Sequence, residues 1–289
     1  MLSASECMAW ARRLGLSDDA WNTVAAIRSA PPSRRVRSGA GNVPCRYPSL
    51  KMGQTIQAES HTVELPFVHA AERDRAILEY WDQPGKIRLT YPSKAGRRVV
   101  VGHTPDYFEL RIDAAGWVEC KPEARLRELA HAAPHRYCLD AAGRWACPPG
   151  EAYAARYGLT YRIFSSAEIN WIEQRNWAFL ADYFRADCPT VSDTACATIL
   201  AVVESDPGVT LAQLQRRVAK IATADDINIL IATTQIYVDL RTYALAEPDY
   251  ALVFRDEELR RLCLRPTSCS AGGILARTRA ADLVASQQA

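Results

Sequence analysis

The stretch from Lys86 to Lys121 constrains the fold more than any other. It falls into four short runs, KIRLTY (86–91), RRVVVGH (97–103), DYFELRI (106–112) and WVECK (117–121), parted by turn-forming residues at Ser93 to Gly96 and at Asp113 to Gly116. In the first run Ile87, Leu89 and Tyr91 alternate with polar residues, the period of a strand with one covered face. The first two runs are expected to pair as a hairpin, and so are the last two. Helical patterns flank them. Val63, Phe67, Ala70, Ala71, Ile77, Leu78 and Trp81 follow a helical stripe over residues 62–81. Pro66 is tolerable only in a first turn, which sets Glu64 at the helix start, and Gln83-Pro84-Gly85 ends the element. Pro122 opens a helix to about His131, and a loop, a short helix (151–157), a strand (160–164) and a long helix (167–185) follow. Strands at the centre with helices around them make an α/β or α+β core.

Alternate residues of a strand face one side, so Glu119 and Lys121 share a face and Cys120 points away. Asp106 stands just before the neighbouring strand, behind the rigid Thr104-Pro105 pair, and Glu64 opens the helix ahead of the sheet. Carboxylate oxygens suit a hard cation such as Mg²⁺. An ammonium beside them can orient a water or offset charge on a phosphate. An Asp followed by E-x-K is common in itself, and on a surface strand Glu119 and Lys121 would be ordinary solvated charge.

The net charge of +2 argues neither for nor against nucleic acid, but the distribution is uneven. Arg12, Arg13, Arg28, Arg34, Arg35, Arg37, Arg46 and Lys51 precede the strands against Asp18 and Asp19. Of these, Arg34, Arg35, Arg37 and Lys51 are candidate phosphate contacts. The nine cysteines form no C-x-x-C, which points to free thiols in a reducing cytoplasm. Cys138 and Cys147, with His131 and His135 nearby, fit no common zinc spacing. No apolar run approaches the length that spans a bilayer.

The arrangement of Glu64, Asp106, Glu119 and Lys121 resembles that of PD-(D/E)xK nucleases. From Glu59 to about Tyr183 the chain resembles, in more detail, the TnsA-type endonuclease subunits of heteromeric, Tn-seven-like transposases. Glu59-Ser60 leading into Val63-Glu64 is similar to the family's S-x-L-E. Gln83-Pro84 is similar to its Q-P, Thr104-Pro105-Asp106-Tyr107 to its T-x-D-F, and Glu119-Cys120-Lys121-Pro122 to its [EQ]-V-K-P. Residues 163–170 are similar to its strand-to-helix string. One extra residue lies between Ser60 and Glu64, so Glu59 is a rival for the first acid, with Glu64 preferred on its spacing to Gln83.

The resemblance implies a restriction-endonuclease-like mixed sheet flanked by helices. It further implies a metal-dependent DNA endonuclease that cuts the non-transferred strand at transposon 5′ ends. Asp106, Glu119 and Glu64 would hold Mg²⁺, for which Mn²⁺ could substitute, and Lys121 would assist the water or the phosphate. Partners would be double-stranded DNA, a DDE-type transposase similar to TnsB and an AAA+ ATPase similar to TnsC, with no membrane, in a bacterial-type cytoplasm. Alternatives are a stand-alone restriction or repair nuclease and a non-catalytic DNA-binding scaffold.

Four segments are expected. Residues 1–55 hold two short helices and a basic, extended arm; 56–187 form the nuclease domain. Residues 188–265 are helical, and the order helix, helix, helix, two strands is that of a winged helix. Residues 266–289 read as a mobile tail.

Overall fold

A computed structural model of the chain describes residues 1–35, 44–185 and 187–264. The described part divides into two compact units, Met1–Trp177 and Ala178 onward. Among the described residues no helix is long and apolar enough to cross a membrane. The expected tail and Arg37 lie outside the described residues.

The first unit opens with α1 (Ala4–Arg13) and α2 (Asp18–Ser29), capped by the Ser3 and Ser17 side chains. These helices are not a separate segment: Cys7, Trp10, Ala20 and Val24 belong to the same core as the strands. The arm expected over residues 30–55 is partly a hairpin, β1 (Cys45–Ser49) against β2 (Gln54–Ala58).

The helix expected over 62–81 is corrected. It ends as α3 (Glu64–Arg73), and Ile77–Asp82 forms a strand, β3. Two causes stop the helix. The Lys51 ammonium donates to the carbonyls of Ala71, Asp74 and Ile77, closing the helix end. Asp74 Oδ1 accepts the Ala76 N–H and turns the chain. Ile-Leu-Glu-Tyr-Trp then pairs antiparallel with a later strand and is covered on both faces, so its apolar run carries no strand alternation.

The hairpin β4 (Ile87–Pro92) with β5 (Arg98–His103) forms as expected, apart from the main sheet. So does β6 (Tyr107–Arg111) with β7 (Ala115–Lys121). The chain continues through α4 (Glu123–Ala132), β8 (Cys138–Leu139), β9 (Trp145–Ala146), α5 (Pro148–Ala155) and β10 (Thr160–Ser165). The main sheet is mixed, in the order β10-β7-β6-β3, with β10 parallel to β7 and the other pairs antiparallel. One face meets α3 through Phe67, whose ring lies 4.6 Å from Tyr107 and 5.5 Å from Phe164. The other face stacks Phe108, Trp117 and Tyr153 of α5, with centroids 5.2 and 5.4 Å apart. The β7–β10 approach needs Gly116, because a Cβ there would lie 2.1 Å from the Thr160 carbonyl oxygen. The long helix expected over 167–185 is broken into a 3-10 turn at Ser166–Glu168, α6 (Trp171–Phe179) and a second 3-10 turn at Ala181–Phe184.

The second unit holds α7 (Asp193–Ser205), β11 (Val209–Thr210), α8 (Leu211–Val218), α9 (Ala224–Ala232), β12 (Tyr237–Val238), β13 (Leu252–Phe254) and α10 (Glu257–Cys263). Thr210 caps α8 in a reciprocal box with Gln213, and Thr223 caps α9 with Asp226. The strands form a small antiparallel sheet, β11-β13-β12. Ile199, Val203, Leu214, Val218, Leu230 and Val253 are buried within this unit.

Candidate active site

The β6–β7 pairing brings Asp106 and Lys121 together. Asp106 precedes β6, and its N–H donates to the Val118 carbonyl of β7 at 3.1 Å, so the main chain fixes its place. Its Oδ2 accepts the Cys120 N–H at 2.7 Å and lies 3.8 Å from the Lys121 ammonium. That ammonium is 3.0 Å from Oε1 of Glu119. Asp106 is 6% exposed and Glu119 1%.

Glu64 is the first residue of α3 and 7% exposed. Its Oε2 accepts the Glu59 N–H at 2.8 Å. Burial, then the Asp106 charge, raises its pKa to about 8. Asp106 is likewise raised by burial, with Glu119 adding to the shift and Lys121 opposing it. Lys121 is raised although burial opposes it, because Asp106 and Glu119 hold its proton. Glu59, the rival acid, is turned instead to Arg34, at 2.9 Å. Of the two acids, Glu64 is therefore the one near Asp106.

Glu119 differs from the other two acids. Its Oε1 accepts from the Tyr137 hydroxyl at 2.9 Å, and its Oε2 from the Tyr161 hydroxyl at 2.5 Å. His103 Nε2 lies 3.3 Å from that second oxygen and 3.0 Å from the Tyr161 oxygen. A guanidinium nitrogen of Arg136 reaches His103 Nδ1 at 3.3 Å, which leaves the imidazole proton on Nε2, facing Glu119 and Tyr161. Burial pushes the Glu119 pKa up, but His103, Lys121 and Tyr161 outweigh it and hold the group below its usual range. The sequence did not reveal Tyr137, Tyr161 or His103. His103 sits three residues before Asp106, a local signal that could have been read; Tyr137 and Tyr161 reach Glu119 only through the fold.

The remaining candidates scatter. Lys51 is bound to three carbonyls at the end of α3, so its charge serves the helix. Arg34 donates to Gln83 Oε1 at 2.6 Å as well as to Glu59, and Arg35 is exposed. Gln83 follows β3, where its N–H donates to the Asp106 carbonyl at 2.9 Å and its backbone takes the left-handed φ of 46°. Holding a non-glycine residue there costs energy, so Gln83 is a fixed brace behind Asp106. Outside these candidates, the loop over residues 134–151 is held locally, with Arg144 paired to Asp140 and Trp145 donating to Glu123.

Among the described residues no group of three or more His, Cys, Asp or Glu side chains is arranged to hold a metal ion. Glu64 and Asp106 have the chemistry a divalent cation takes: both are carboxylates, each accepts one main-chain N–H, and the Asp106 charge raises the Glu64 pKa, a repulsion that a cation would relieve. Glu119 does not fit in the same way, because donors already surround both of its oxygens.

No family model and no curated protein matches the chain.

Proposed function

We propose that this chain is a metal-dependent DNA endonuclease subunit of a heteromeric transposase, of the TnsA type, hydrolysing the non-transferred strand at transposon 5′ ends. The observation that carries the reading is the Lys121 ammonium lying between Glu119 and Asp106 on a mixed sheet, with Glu64 brought near by α3. That sheet order and its flanking helices support a restriction-endonuclease-like fold.

Asp106 and Glu64 would hold Mg²⁺ or Mn²⁺. When bound, the cation would lower the pKa of a water and offset charge on the phosphate. In the hydrolysis, water oxygen forms the new bond to phosphorus, the bond to the leaving sugar oxygen breaks, and that oxygen takes up a proton. Lys121 is placed to orient the water or to stabilise the extra charge on the phosphate as the bond forms. Glu119 holds that ammonium, and the low pKa of Glu119 keeps it anionic for the task.

The second unit has the element order of a winged helix. Its α9 begins with Asp225 and Asp226, which would repel phosphates at the end a groove reader presents. This supports docking on protein, such as the proposed DDE-type transposase similar to TnsB or the AAA+ ATPase similar to TnsC. Double-stranded DNA would be met by the first unit.

The test is a strand-specific cleavage assay on labelled transposon-end DNA with Mg²⁺ or Mn²⁺, with the chain alone and with both partners, beside Asp106→Ala and Lys121→Ala. A 5′-end nick that needs the partners and disappears in both variants is the expected result. Robust cutting without partners would move the reading to a stand-alone nuclease. Binding without cutting, unaffected by either substitution, would leave a scaffold.

A further inference from the structure

Glu119 occupies the position where the E-x-K pattern leads one to expect a metal ligand, yet its surroundings are those of a hydrogen-bond hub. A carboxylate has roughly four lone-pair directions over its two oxygens. Here four donors face them: Tyr137 and Lys121 on Oε1 at 2.9 and 3.0 Å, and Tyr161 and His103 on Oε2 at 2.5 and 3.3 Å. A cation reaching Glu119 would have to displace at least one of them from a residue that is 1% exposed. The donors are also held from outside. Tyr161 lies in the parallel strand β10, His103 ends β5 with Arg136 on its far nitrogen, and the Arg136 guanidinium lies 5.1 Å from the Tyr137 ring. Three separate segments thus fix one carboxylate. Among the described residues, Asp106 accepts one main-chain N–H beside Lys121 and Glu64 accepts one main-chain N–H, without such a cage.

We propose that Glu119 is a positioning residue and not a metal ligand. Tyr137, Tyr161 and His103 hold its carboxylate so that it clamps Lys121 beside Asp106, and the divalent cation is left to Asp106 and Glu64. This rests on the nuclease reading and assigns the parts of its site. Tyr137, Tyr161 and His103 become positioning residues that act on the reaction through Glu119 and Lys121.

The experiment titrates Mn²⁺ into the full chain, reading free Mn²⁺ by electron paramagnetic resonance, for wild type, Asp106→Asn, Glu64→Gln, Glu119→Gln and Tyr161→Phe. Circular dichroism of each variant confirms folding. Wild type binds, Asp106→Asn and Glu64→Gln lose affinity by about tenfold or more, and Glu119→Gln and Tyr161→Phe keep it. At saturating Mn²⁺, with the partners present, Glu119→Gln and Tyr161→Phe lower the single-turnover cleavage rate while DNA affinity stays unchanged, a split that a merely structural role would not give. If Glu119→Gln does not fold, Tyr161→Phe carries both readings. Loss of Mn²⁺ affinity in Glu119→Gln equal to that in Asp106→Asn, or any change in affinity in Tyr161→Phe, overturns the assignment and leaves the nuclease reading intact. A wild-type chain that binds no Mn²⁺ overturns the metal-dependent reading itself and the assignment with it.

Discussion

The Lys121 ammonium lies 3.0 Å from Oε1 of Glu119, two residues back on the same strand. The strand period puts both side chains on one face, and Asp106, entering from the next strand, comes within 3.8 Å of the same nitrogen. Replacing Lys121 by Ala therefore removes a cation that lies between two buried acids. The expected outcome is a loss of about 10²–10³-fold in single-turnover cleavage with DNA binding retained, as for deletion of a group that stabilises developing charge. Equal losses in binding and rate would contradict it.

Glu64 makes stability depend on pH in a definite direction. Its folded pKa, about 8, lies above the ordinary 4.5, so the folded state holds a proton that the unfolded state has released. Stability from this group is full below about pH 4.5 and is lost as pH rises through 8. His69 acts the other way below its ordinary 6.5, because burial lowers its pKa. The measurement is therefore the difference between Glu64→Gln and wild type in urea unfolding at each pH. Glu64→Gln gains on wild type by on the order of 3 kcal/mol between pH 5 and pH 8. A difference that does not vary with pH would refute the raised pKa.

Arg28 and Glu79 tie the N-terminal helices to the sheet. The guanidinium of α2 grips the β3 carboxylate twice, at 2.8 and 2.9 Å, where Glu79 is 0% exposed. Leu2 N–H and Trp81 Nε1 donate to the same carboxylate. Arg28→Ala leaves a buried charge without its counter-ion and should cost about 3 kcal/mol in urea denaturation. An independent N-terminal segment would show almost no loss.

Gly116→Ala tests the parallel pair at the edge of the sheet. The added methyl would meet the Thr160 carbonyl oxygen at 2.1 Å, a backbone atom that cannot turn aside as a side chain could. Strand β10 must shift, and Tyr161 moves with it. A destabilisation of about 3 kcal/mol is expected in the same unfolding assay. Retained wild-type stability would mean that β10 does not pack this closely on β7.

Local chemistry made several elements readable in the sequence. Ser17 and Thr210 cap helices because a side-chain oxygen can satisfy an orphan N–H three residues on, whatever lies elsewhere. The β4–β5 and β6–β7 hairpins followed from short alternating runs around turn residues, and with them the approach of Asp106 to Glu119 and Lys121. Strand β3 could not be read in this way. Ile77, Leu78 and Trp81 are spaced in a pattern that suits a helix as well as a strand, and the decision came from Lys51, 20 residues or more away, closing α3, and from pairing with β6. The candidate site divides along the same line. The sequence by itself placed Glu119 and Lys121 on one strand face and Glu64 at a helix start, since two-residue spacing on a strand and a proline-limited helix start are local constraints. Only the tertiary structure decided that Lys51 is a helix cap, that Glu64 and not Glu59 faces Asp106, and that Tyr137, Tyr161 and His103 enclose Glu119. Those contacts join segments far apart in the chain, and burying charged groups is tolerable only when such partners arrive together.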